Sequence, residues 1–87
     1  MKIKKGFVLR EVAEHWFVLP VGQASVDFNG MISLNESGVL LWRTLEAGGD
    51  RETMCDALLD TYEVERAQAL SDVDAFIKVL KDAGCIE

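Results

Sequence analysis

The spacing of apolar positions changes once along this chain, from strand-like runs before Leu34 to helical repeats after Asn35. Phe7 to Val12 and His15 to Val21 are β-rich runs separated by Ala13-Glu14, which predicts a tight hairpin. In the first run Phe7 and Leu9 alternate with Arg10. The second, Trp16-Phe17-Val18-Leu19, is apolar on both faces, as expected of a central strand covered on each side. Pro20 has no N–H to give to a ladder, so it marks a strand end or an edge position. Gly22 to Gly30 is a polar connection that contains the turn signal Asn29-Gly30. A short extra strand at 25–28 is the lesser reading, because three strands already account for the pattern.

Met31 to Leu34 has period two, and helical spacing begins with no intervening loop, at Gly38, Leu41, Trp42 and Leu45. Asn35 is a preferred N-cap, since its side-chain oxygen accepts an orphan N–H of the first turn. Ser33 and Glu36 also fit a capping box, so the boundary is open by about two residues. The first helix runs from about Glu36 to Ala47 and stops at Gly48-Gly49. Asp50 opens the second, with Met54, Ala57, Leu58 and Tyr62 on one face. The third spans about Glu65 to Ala83, with Lys78 and Lys81 at its negative end and Gly84 just beyond it. Ile86 is placed to fold back onto Leu80. Three strands followed by three helices make an α+β domain covering residues 1–87. In a simple meander, Met31 to Leu34 is an edge strand.

The third helix has more apolar surface than one stripe requires. Leu70, Val73, Ile77 and Leu80 form the expected core face. Ala69, Phe76, Val79 and Ala83 form a second stripe one position round, with Asp72 among them. A wide buried face explains this, and so does a groove wall left open for a partner. The residues alone favour the buried face.

With 87 residues the chain has little room for an enclosed active site, so binding is a better expectation than catalysis. Its charge is uneven. Met1 to Arg43 carries five basic and four acidic residues, net +1, and Thr44 to Glu87 four basic and eleven acidic, net −7. Lys2, Lys4 and Lys5 read as a solvated tail. Cys55 and Cys85 lie thirty residues apart without a CxxC or an adjacent histidine, and they read as reduced apolar fillers. The basic first ten residues lack the apolar stretch of a signal peptide, and no apolar run is long enough to span a bilayer. A cytoplasmic location is expected. His15 has only Glu11 and Glu14 nearby, and the serines lack a nucleophile context. The glycines build no phosphate loop. Asp72 and Asp74 fall on different helix faces, which rules out a paired acid and base. No enzyme activity, metal or cofactor is expected.

The run Leu34-Asn35-Glu36-Ser37-Gly38 with Trp42 following, then Tyr62, Asp72-Val73-x-x-Phe76, Leu80 and Gly84, resembles the PqqD family. These small peptide chaperones, also called RiPP recognition elements, hold precursor peptides for modifying enzymes. The resemblance covers roughly the whole chain and consists of core and cap positions. It implies a winged-helix-like domain that binds the leader of a ribosomally made precursor peptide by strand addition. The third strand and third helix line the groove in that family. Carried to this chain, the peptide-binding residues are Met31, Ile32, Ser33, Leu34, Ala69, Asp72, Val73, Phe76 and Val79. The implied partners are the leader peptide and a modifying enzyme, often a radical SAM enzyme in the family, with no nucleic acid and no membrane. The domain itself is expected to be a monomer or homodimer.

A DNA-binding or regulatory winged helix is the alternative. Its recognition helix should be basic, yet the second helix sets Arg51 against Asp50, Glu52, Asp56, Asp60 and Glu63. The third sets Arg66, Lys78 and Lys81 against Glu65, Asp72, Asp74 and Asp82.

Overall fold

A computed structural model describes residues 1–27 and 30–87. Strands β1 (Phe7–Val12) and β2 (His15–Pro20) form a hairpin, and β3 (Ile32–Leu34) pairs antiparallel with the other side of β2. The sheet order β1-β2-β3 is a meander, with β3 at an edge as expected. The hairpin turn has both Ala13 and Glu14 at positive φ, the geometry that matches the twist of a two-residue hairpin loop. A one-turn helix, α1 (Ala24–Asp27), occupies the polar connection where the lesser reading placed an extra strand. Asn29, half of the Asn-Gly turn signal, and Phe28 lie outside the described residues.

Helices α2 (Glu36–Glu46), α3 (Arg51–Thr61) and α4 (Arg66–Ala83) follow. The architecture is α+β and winged-helix-like: a three-stranded antiparallel sheet followed by three helices. Capping settles the boundary that the sequence left open. Asn35 Oδ1 accepts from the Gly38 N–H at 2.9 Å, so Asn35 is the N-cap of α2. Asp50 accepts from the Thr53 N–H at 2.9 Å at the head of α3. α4 ends in a Schellman motif: the Gly84 and Cys85 N–H groups donate to the Lys81 and Leu80 carbonyls, with Gly84 at φ 79°.

One face of the sheet carries the core. Leu9, Val18 and Ile32 form one cross-strand rung, and Trp16 and Leu34 another. The core joins Val18 to Leu41, Trp42 and Leu45 of α2, Met54, Cys55 and Leu58 of α3, and Ala69, Val73 and Leu80 of α4. Helices α2, α3 and α4 therefore cover one face of β2, whereas covering on both faces was expected. Phe17 and Leu19 point to the opposite face and are half-buried, with Leu19 opposite Val8 and Phe17 opposite Arg10 and Ser33 in the sheet register.

The N-terminus also departs from the solvated-tail reading. Ile3 pairs with Ile86, the Lys4 N–H donates to the Cys85 carbonyl at 2.8 Å, and the Glu87 N–H to the Lys2 carbonyl at 2.9 Å. Ile86 is buried and joins the core cluster that contains Leu80.

Candidate functional site

The switch from β3 to α2 without a loop has a geometric consequence. It leaves a three-residue strand with β2 on one side and, among the described residues, no strand on the other. Across from that free edge runs α4. Ile32, Ser33, Leu34, Asn35, Gly38, Phe76 and Val79 line a groove of about 360 Å³ between them. A neighbouring concavity of about 390 Å³ shares Asn35, Gly38, Phe76 and Val79 with it and is also lined by Ser37, Leu41, Asp72 and Ala75.

The two stripes proposed for the third helix resolve differently from either reading. Ala69 and Val73 are completely buried, Ala69 from the outer stripe and Val73 from the inner one. They therefore form no part of the accessible wall, although both stood among the candidate binding residues. Their place is underneath, as the rigid support on which Phe76 is set. Phe76 is half-buried, and Val79 is 49% exposed. The wall presented to the groove is thus Asp72, Phe76 and Val79. The physical reason is helical periodicity: Ala69, Val73 and Leu80 share a stripe at i, i+4 and i+11, which lies between the two stripes drawn from sequence. On the opposite wall Ile32 and Leu34 are half-buried, Ser33 is exposed, and Met31, just before β3, is 60% exposed. Gly38 and Asn35 were absent from the sequence-based site. Their signal was the L-N-E-S-G run, in which they read as helix-capping positions.

The site contains backbone donors and acceptors, apolar side chains and one carboxylate, a set suited to holding an extended chain. Among the described residues no group of His, Cys, Asp and Glu side chains could hold a metal ion. Cys55 and Cys85 are both free and buried in the core. Burial pushes the Cys85 thiol up, opposed by Lys4.

Several cations of the helical half are bound to neighbouring acids. Arg51 forms a two-pronged bond to Asp74, with Nε at 2.7 Å and Nη2 at 2.9 Å from its oxygens. Arg66 pairs with Glu52 and Asp56, and Lys78 with Asp82. These pairs leave α3 and α4 without the clustered free cations that a nucleic-acid backbone requires. Arg43 of α2 lies over the Trp16 ring, 5.1 Å from its centroid.

The fold is a winged-helix-like domain in which an exposed strand edge faces the apolar side chains of α4. Residues 15–86 match the family described as coenzyme PQQ synthesis protein D, PqqD, and the chain belongs to that family. Two solved structures share the fold. One, TbiB1 in complex with the TbiA(beta) leader peptide, is 24% identical with a TM-score of 0.81, over 100% of this chain and 95% of that one. The other, a lasso peptide synthetase B1 complexed with the leader peptide, is 20% identical with a TM-score of 0.75, over 98% of this chain and 93% of that one. No curated protein matches the chain. No helix among the described residues is long and apolar enough to cross a membrane.

Proposed function

We propose that this protein is a non-catalytic peptide chaperone. It binds the leader of a ribosomally synthesised precursor peptide and presents it to a modifying enzyme, a radical SAM enzyme being the partner the family resemblance implies. The observation that carries the reading is the free edge of β3 facing Phe76 and Val79 across a groove. Family membership supports it, as do the leader peptides bound by two proteins of the same fold.

Binding proceeds by β-augmentation: the leader adds as a fourth strand beside Ile32–Leu34. Alternate peptide side chains then point into the groove, against Phe76 and Val79. Both parts are needed. A backbone hydrogen bond contributes about 0.5–1.5 kcal/mol net, whereas ordering one peptide residue costs about 1–2 kcal/mol. Strand pairing alone therefore comes out near zero. Burying two or three apolar peptide side chains, at roughly 1.5–3 kcal/mol each, makes binding favourable. Backbone pairing sets the register, and the groove selects the peptide.

Amide shift mapping with a candidate leader tests this directly. Perturbations should concentrate at residues 30–35 and along the groove face of α4. Perturbations confined to α3, or produced only by duplex DNA, would refute the reading.

A further inference from the structure

The groove extends beyond the C-terminal end of β3. Asn35, Ser37 and Asp72 line both the stretch beside Phe76 and a further concavity of about 440 Å³. Leu58, Tyr62 and Val64, from the end of α3 and the link after it, give this concavity apolar walls. Glu36 and Asp72 supply carboxylates. Neither carboxylate has an ion pair among the described residues, although Asp72 accepts from Gln68 Nε2 at 2.8 Å. Elsewhere on α3 and α4, Glu52, Asp56, Asp74 and Asp82 have cationic partners, while Asp60 has none among the described residues. An apolar recess with two unneutralised carboxylates, adjoining the groove through shared wall residues, has a definite chemical preference.

We infer that this concavity is a second subsite for the same peptide, taking an arginine or lysine from the segment that leaves β3 at its Leu34 end. The inference rests on the peptide-binding reading above. A basic side chain lays its methylene stem along apolar surface and keeps its charged head in water. Here the stem would lie along Val64 and the half-buried Tyr62, above the buried Leu58, while the head sits between Glu36 and Asp72 with the Tyr62 ring available for a cation–π contact. The positive end of the α2 dipole, worth about half a charge, opposes this weakly and is offset by the full negative charge of Glu36. A peptide carboxylate at the same place would meet two like charges. The subsite thus gives the groove a direction as well as an apolar preference.

A displayed library of random 14-residue peptides, selected in parallel on the wild type and on the Glu36→Gln/Asp72→Asn double variant, tests the inference. Wild-type winners should share alternating apolar residues and, at a fixed spacing to one side, arginine or lysine. The double variant should keep the alternation and lose the basic residue. Replacing that residue by Gln in the best peptide should weaken wild-type binding roughly two- to fivefold at low salt, as exposed ion pairs allow, and leave the variant's affinity unchanged. Winners with alternation but no basic preference would overturn the subsite and leave strand addition standing. Winners that do not shift the β3 amides, or no winners at all, would overturn both.

Discussion

Gly38 lies so close to Leu34 that a methyl group on its Cα would come within 3.3 Å of the Leu34 Cβ, and within 3.2 Å of Asn35 Oδ1. This contact is what lets α2 begin directly at the end of β3, and Gly38 lines the groove as a result. Gly38→Ala has two opposed effects. Alanine is the better helix former by about 0.8–1 kcal/mol, while overpacking costs about 1–3 kcal/mol. The expected net loss is about 0–2 kcal/mol in a thermal melt, with leader binding weakened because the groove floor rises. Gly38→Val should lose considerably more. A valine variant that melts like the wild type would show that Leu34 moves aside freely.

Trp42 is completely buried in α2, and its Nε1 donor has no hydrogen-bond partner among the described residues. Truncation to alanine should cost about 3–5 kcal/mol, much of the stability of so small a domain. Trp42→Ala should therefore be largely unfolded near room temperature by circular dichroism. Trp42→Phe should be markedly milder, since it leaves an aromatic ring in place and removes a buried donor whose lack of a partner costs about 1–3 kcal/mol. Equal damage from both substitutions would mean that the indole N–H has a partner, such as an ordered water.

How far the sequence revealed these features depended on how local their causes were. Caps, helix stops and the edge position of β3 follow from short-range chemistry at Asn35, Asp50, Gly84 and the change of period after Leu34, and all were legible. The α4 face was legible only in part. Ala69 and Phe76 both looked like members of an outer stripe, but the angle at which α4 packs decides which of them is buried, and that angle depends on α2 and α3. The pairing of Ile3 with Ile86 was missed because it joins the two ends of the chain. Partner-dependent contacts leave no periodic signal. The same holds for the candidate site: β3, Phe76 and Val79 were named from pattern and resemblance and line one groove, while the Leu58–Tyr62–Val64 recess depends on how α3 ends beside α4.

Arg51 and Asp74 tie α3 to α4, and the guanidinium holds the Asp74 carboxyl below the usual carboxylate range. Asp50 is lowered as well, chiefly by the Thr53 N–H at the helix head. A carboxyl whose pKa is lower folded than unfolded stabilises the fold above its unfolded value, and that contribution is lost as pH falls through the folded value. The melting temperature should therefore be flat above about pH 5 and decline progressively below about pH 4. Asp74→Asn should melt lower near neutral pH and decline less steeply in acid. Parallel pH profiles for the two proteins would show that the Arg51 bond contributes nothing in solution.

The strand edge itself can be tested with any peptide that selection provides, whatever the natural leader is. Alternate N–H groups of an edge strand point away from the sheet, and proline at such a position removes a donor without touching the internal ladder. Ile32 and Ser33 pair with Val18 and Phe17, and as neighbours their N–H groups point in opposite directions. Of Ile32→Pro and Ser33→Pro, one should therefore unfold or strongly destabilise the domain, and the other should fold and bind weakly. Phe76→Asp places a charge on the groove wall at a half-buried position and should abolish binding, with a moderate loss of stability. Val79→Asp is the cleaner control, since Val79 is 49% exposed and its replacement should scarcely affect folding. Titration calorimetry on the folded variants reads the outcome. If Val79→Asp and the tolerated proline variant both bind like the wild type, the peptide does not lie between β3 and α4.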